Sequence, residues 1–121
     1  MHLFQKPIGE ISWADIEEFC STGGTEGAYL DYKRDFPTDL AKTICAMANT
    51  FGGAVLIGVD EDDHGRALMP LHGIPTSRGL SERVMNIVVD SISPPVAVES
   101  SVCLNDDSSR CVVVVRVPQS Q

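Results

Sequence analysis

No run of apolar residues in this chain approaches the roughly eighteen that a bilayer-spanning helix requires, so the sequence offers no transmembrane segment. Its N-terminal stretch, MHLFQKPIGEIS, also lacks the apolar core of a signal peptide, and the expected setting is a soluble, cytoplasmic one. Positive charge is scarce. Nine lysines and arginines stand against seventeen acids, for a formal net charge of -8. That balance excludes a protein that coats nucleic acid over its whole surface, because phosphate binding needs clustered cations, but it leaves room for a local basic patch. Aromatics make up only 6% of the chain, so the core is mostly aliphatic and no strong base-stacking platform is evident. The four cysteines, Cys20, Cys45, Cys103 and Cys111, lack CxxC spacing and a companion histidine cluster, which argues against structural zinc. Buried reduced thiols are the expected state, with one exception left open: Cys103 and Cys111 flank a hairpin turn, and a disulfide could close across it.

What the 121 residues do contain suits a single domain spanning residues 1–121, either whole or excised from a longer chain. The rest of the sequence is arranged around Ile44–Asp60, ICAMANTFGGAVLIGVD. Ile44, Met47, Ala48 and Phe51 continue a helical stripe that begins at Leu40. Thr38 is the expected N-cap of a helix over Asp39–Asn49, Gly52-Gly53 ends it, and Ala54–Val59 is a continuous apolar run of strand length. Upstream, Ser12 caps a short amphipathic helix carrying Trp13, Ile16 and Phe19. Glu26–Lys33 follows as a strand with Tyr29, Asp31 and Lys33 on one face and Leu30 and Tyr32 on the other.

Downstream, Asp60–Gly79 is a long irregular connection, a length that is uncommon unless a loop is functional or mobile. Leu80, Val84, Ile87, Val88 and Ile92 mark a second long helix, ended by Ser93-Pro94-Pro95. A hairpin closes the chain: Val96–Leu104, broken near Ser100, then Cys111–Val117. The predicted class is α/β (α+β), a mixed sheet of about four strands packed by two or three helices with Ala54–Val59 central. Cys111–Val117 is strongly apolar and close to the last residue. It reads as an edge that needs covering, by homo-oligomer pairing through this C-terminal strand or by further chain.

Four blocks carry a family resemblance: Glu26; Leu30-Asp31-Tyr32-Lys33; Cys45-Ala46-Met47-Ala48-Asn49-Thr50-Phe51-Gly52-Gly53; and Leu56-Ile57-Gly58-Val59-Asp60. In this order they resemble the Schlafen AlbA_2 domain family, also labelled a divergent AAA-4 group, over about Ile11 to Val117. The family pattern is a glutamate, a spacer, L-E-F-K, a helix ending in A-F-A-N-T-x-G-G and a strand ending in I-G-V-D. Two positions depart from it: Asp31 stands for the usual glutamate and Tyr32 for the usual phenylalanine. The resemblance implies a nucleic-acid-binding domain of the kind found in bacterial transcriptional regulators and in Schlafens, some of which cleave RNA. It matches Glu26, Asp31, Lys33 and Asp60 to the acidic and lysine residues of the ribonuclease-active members.

The chemistry of those positions can also be stated from the residues. Glu26, Asp31 and Asp60 supply three carboxylates, oxygen donors suited to Mg²⁺ or Mn²⁺, and Lys33 supplies an amine able to stabilise charge on a phosphate. A metal-dependent nuclease, with these as catalytic and metal residues, is one reading; a solvated strand face is the plainer one. Lys33, Arg34 and Lys42 are candidate nucleic-acid contacts, with Arg66, Arg78 and Arg83 as further cations, set against ordinary surface salt bridging. Gly52-Gly53 is not followed by Lys-Ser or Lys-Thr, so there is no nucleotide-binding phosphate loop. Asp60, Asp62 and His64 echo half of an EF-hand loop, but its twelfth position is Leu71. Three functions thus remain in view: nucleic-acid binding of DNA or RNA, metal-dependent cleavage, and a protein-interaction or assembly role.

Overall fold

Strands Gly53–Ile57 (β2) and Arg110–Val117 (β5) are buried along nearly their whole length, as strands covered on both faces must be. They pair antiparallel, with Val55 opposite Val115 and Ile57 opposite Val113. The computed structural model describes residues 5–22, 29–94 and 96–119. Around the central pair lie Leu30–Lys33 (β1), parallel to β2; the two-residue Ile74–Pro75 (β3), which continues along β5 beyond the end of β2; and Glu99–Leu104 (β4), along the other side of β5. The sheet is therefore mixed and five-stranded, one strand more than the sequence predicts. The extra strand is β3, too short to leave a period in the sequence.

Among the described residues three α-helices pack on the sheet. Helix α1 (Trp13–Ser21) covers one face, where Ile16 and Cys20 pack with Leu30, Tyr32, Leu56, Val112 and Val114. Helices α2 (Leu40–Ala48) and α3 (Leu80–Ser91) cover the other, where Ile44, Val84 and Val88 pack with Val55, Ile57, Val113 and Val115. Alternation along β2 and β5 feeds the two cores in turn, which explains runs that are apolar without a break.

Local chemistry sets the boundaries. Ser12 and Asp15 form a reciprocal capping box at the start of α1, each side chain accepting from the other's backbone N–H. The N-cap of α2 falls on Asp39 instead of Thr38, because the first helical bond runs from Thr43 N to the Asp39 carbonyl. At the other end Gly52 N donates to Met47 O at 2.8 Å, and Gly52 has φ +77°. A Cβ on Gly52 would lie 2.5 Å from the Val117 carbonyl oxygen, so glycine is what lets the helix end pass beside β5. Strand β4 runs through Ser100 without the expected break.

Two sequence expectations are corrected. The strand Cys111–Val117 is not an edge: β5 has β2 and β3 along one side and β4 along the other, so both its hydrogen-bonding rows are occupied and strand pairing with a second subunit through it is closed. Nor do Cys103 and Cys111 face each other. The register sets Cys103 opposite Val112 and Leu104 opposite Cys111, which sends the two thiols into different cores, and both are free.

Candidate nucleic-acid interface

Strands β1 and β2 run parallel and stop at the same end of the sheet, the end where antiparallel β5 begins. Past Ile57 the backbone swings away from strand geometry: Gly58 N and Val59 N both donate to the Lys33 carbonyl, at 2.6 and 3.2 Å. Gly58 has φ +108°, and a Cβ there would lie 2.9 Å from both the Cys111 carbonyl oxygen and Gly73 Cα. Only glycine fits this bend. Gly73 N donates to Gly58 O at 2.9 Å, which draws the chain before β3 against the end of β2.

The convergence leaves a cleft of about 300 Å³, lined by Arg34, Asp35, Gly58, Asp60, His72, Gly73 and Arg110. Asp60 is half-buried, and its Oδ1 accepts from Glu61 N at 2.9 Å. Arg110 is held in place: its Nε donates to the His72 carbonyl at 3.0 Å and an Nη to the Gly73 carbonyl at 2.9 Å. Beside the cleft, Arg83 from α3 lies over the ring of Phe36, 3.8 Å from its centroid, a cation–π contact that fixes a second guanidinium two residues from Arg34.

The connection after β2 opens with a tight turn over residues 60–68 and then, as expected, runs irregularly to Gly79 apart from the two-residue β3. Asp62 N donates to Arg66 O and Leu68 N to Asp60 O, both at 2.8 Å. Asp62 Oδ1 accepts from His64 N and Arg66 N, and these two N–H groups hold its carboxyl below the usual carboxylate range. That oxygen serves the turn, as the Asx chemistry of such loops would have it.

The residues singled out from sequence separate. Asp31 and Lys33 lie on the α2/α3 face of β1, opposite Val55 and Ile57, and form an ion pair at 3.4 Å. Asp60 lies in the cleft with Arg34; Asp31 and Lys33 do not line it. Lys42 is exposed in the first turn of α2. Glu26 lies outside the described residues. Among the described residues no group of three His, Cys, Asp or Glu side chains is placed to hold a metal ion, so Asp31 and Asp60 do not by themselves complete a Mg²⁺ or Mn²⁺ site. Arg110, His72 and Asp35 were not picked out from sequence as a group. They come together only through the β2–β5 and β3–β5 registers, for which a single sequence carries no local signal.

A helix-covered mixed sheet with a polar cleft at its strand ends defines the class: a small α+β domain with its site at one end of the sheet. The chain belongs to the Schlafen, AlbA_2 family, whose sequence profile matches residues 26–121. The fold is similar to the solution NMR structure of the N-terminal domain of a DNA helicase RecG-related protein from Nitrosomonas europaea. The TM-score is 0.61 and the identity 23%, covering 92% of this chain and 75% of that one. Curated proteins give no match. No helix among the described residues is long and apolar enough to cross a membrane.

Proposed function

We propose that this domain binds nucleic acid at the end of the sheet where β1 and β2 stop. One observation carries the reading: among the described residues the two guanidinium groups that line the cleft at that end, Arg34 and Arg110, enter no ion pair, whereas Lys33 beside it is paired with Asp31. Lys6 is bonded to Asp15 and Arg116 to Glu99, both away from the cleft. Among the described residues Arg34, Lys42, Arg66, Arg78 and Arg83 enter no ion pair. Arg34 follows β1, and Arg78 lies just past Thr76, whose N–H donates to the Ser109 carbonyl beside Arg110. In a chain with net charge -8, the two guanidinium groups of Arg34 and Arg110 give this cleft fixed positive charge for a phosphate, beside the carboxylates of Asp35 and Asp60.

Membership of the Schlafen, AlbA_2 family supports the reading, and so does the likeness to a domain whose protein is named for a DNA helicase. Within it, Arg34 and Lys42 contact phosphate directly, and Lys33 supports the contact from the strand end. Fluorescence anisotropy with labelled DNA and RNA oligonucleotides tests the proposal. Binding that weakens steeply between about 50 and 200 mM salt is the expected result, and no binding even at the lower salt overturns it. Adding Mn²⁺ to the same mixtures tests cleavage through Glu26, Asp31, Lys33 and Asp60; oligonucleotides that stay intact remove the nuclease reading.

A further inference from the structure

The cleft differs from an ordinary phosphate-binding surface in one respect: it carries carboxylates as well as guanidinium groups. Arg34 and Arg110 face it together with Asp35 and Asp60. Arg110 is clamped by two backbone carbonyls and keeps donor capacity on its other Nη, so a guanidinium is fixed there that enters no ion pair among the described residues. Asp60 has one carboxylate oxygen occupied by Glu61 N and the other without a partner among the described residues. The glycines at positions 58 and 73 bring only backbone to the cleft, which keeps it open.

Duplex nucleic acid presents a continuous row of phosphates and keeps its base-edge donors in the grooves. Against this cleft it would gain at the arginines and lose at the aspartates. A single unpaired nucleotide presents one anion together with hydrogen-bond donors, namely base N–H groups and, in RNA or at a strand end, a sugar hydroxyl, within a few ångströms. That is the pattern of charge and acceptors the cleft offers, and its volume of about 300 Å³ admits one nucleotide and excludes a helix. Resting on the nucleic-acid reading above, we infer that the cleft takes one unpaired nucleotide of a single strand, its phosphate on Arg34 and Arg110 and its donor groups on Asp35 and Asp60. The domain is therefore selective for single-stranded or terminal segments over duplex.

The test compares one short mixed-sequence oligonucleotide as single strand and as duplex, in ribo and deoxyribo forms, by anisotropy at about 50 mM salt. The wild-type chain is expected to bind the single strand at least about tenfold more tightly, the size of effect that one or two hydrogen bonds to a charged group supply. In Asp60→Asn, which keeps the oxygen that Glu61 N needs, and in the exposed Asp35→Asn, single-strand binding should weaken while duplex binding holds or strengthens. Opposite movements of this kind do not arise from a loss of folded protein. Equal affinity for the two forms, or variants that shift both forms alike, overturns the inference and leaves nucleic-acid binding standing. Binding of neither form overturns both.

Discussion

Gly58 shows how one residue shapes the proposed site. Its φ of +108° and the two backbone atoms 2.9 Å from a would-be Cβ make any side chain costly there. Gly58→Ala is expected to lower unfolding stability by about 1–3 kcal/mol in urea denaturation, the range for a residue held in a sparsely populated backbone region. The cysteines give a second residue-scale test. Burial pushes the Cys20 and Cys103 thiols up to about 11, and it raises Cys111 as well, so none of the three supplies thiolate near neutral pH. Alkylation of the native protein followed by mass spectrometry should label the half-buried Cys45 well before the other three. Oxidant should leave Cys103 and Cys111 unlinked. The sequence placed those two cysteines beside a turn correctly but could not place them on a face. Face depends on a register that a one-residue slip reverses.

At the scale of elements, short-range chemistry was legible and long-range pairing was not. The Ser12 cap, the apolar spacing of α1 and the glycine stop after α2 are signals within a few residues of each other, and the structure follows them. The interior position of β5 depends on strands some sixty residues away in sequence, as with Val113 beside Ile57, and an apolar strand near the last residue looks like an edge until that pairing is known. Ile44 is fully buried between α2 and the sheet, and Ile44→Ala should cost about 2–5 kcal/mol in the same denaturation assay.

The cap of α1 has a pH signature. A hydrogen bond from Lys6, then one from Ser12 N, holds the Asp15 carboxyl below the usual range. A depressed folded-state value means that the contribution is present above the unfolded carboxylate pKa of about 3.9 and is lost as pH falls through the lower folded value. The stability gap between wild type and Asp15→Asn should therefore be constant near neutral pH and narrow below about pH 4. A gap that persists undiminished at low pH would show that Asp15 acts through something other than its charge.

For the whole molecule, the distribution of charge matters more than its total. A net charge of -8 argues from sequence against general nucleic-acid binding, and the structure refines that by setting Arg34 and Arg110, which enter no ion pair among the described residues, in one cleft. The candidate site was partly legible. Of the residues singled out at the strand exits, Asp60 and Arg34 lie together in the cleft, whereas Lys33 pairs with Asp31 and does not line it. Arg110 and His72 were not recognisable as site residues, because β3 and β5 bring them there from separate stretches of the chain.

The most direct measurement is the salt dependence of oligonucleotide affinity in three proteins: wild type, the Arg34→Ala/Arg78→Ala double variant, and Lys6→Ala as a control from outside the strand-end surface. If free cations at the strand ends hold the phosphates, the double variant should bind more weakly and lose about one unit of log–log salt slope per contact removed, while Lys6→Ala keeps the wild-type slope. A double variant with unchanged affinity and slope would contradict the account, and so would a loss in Lys6→Ala equal to that of the double variant.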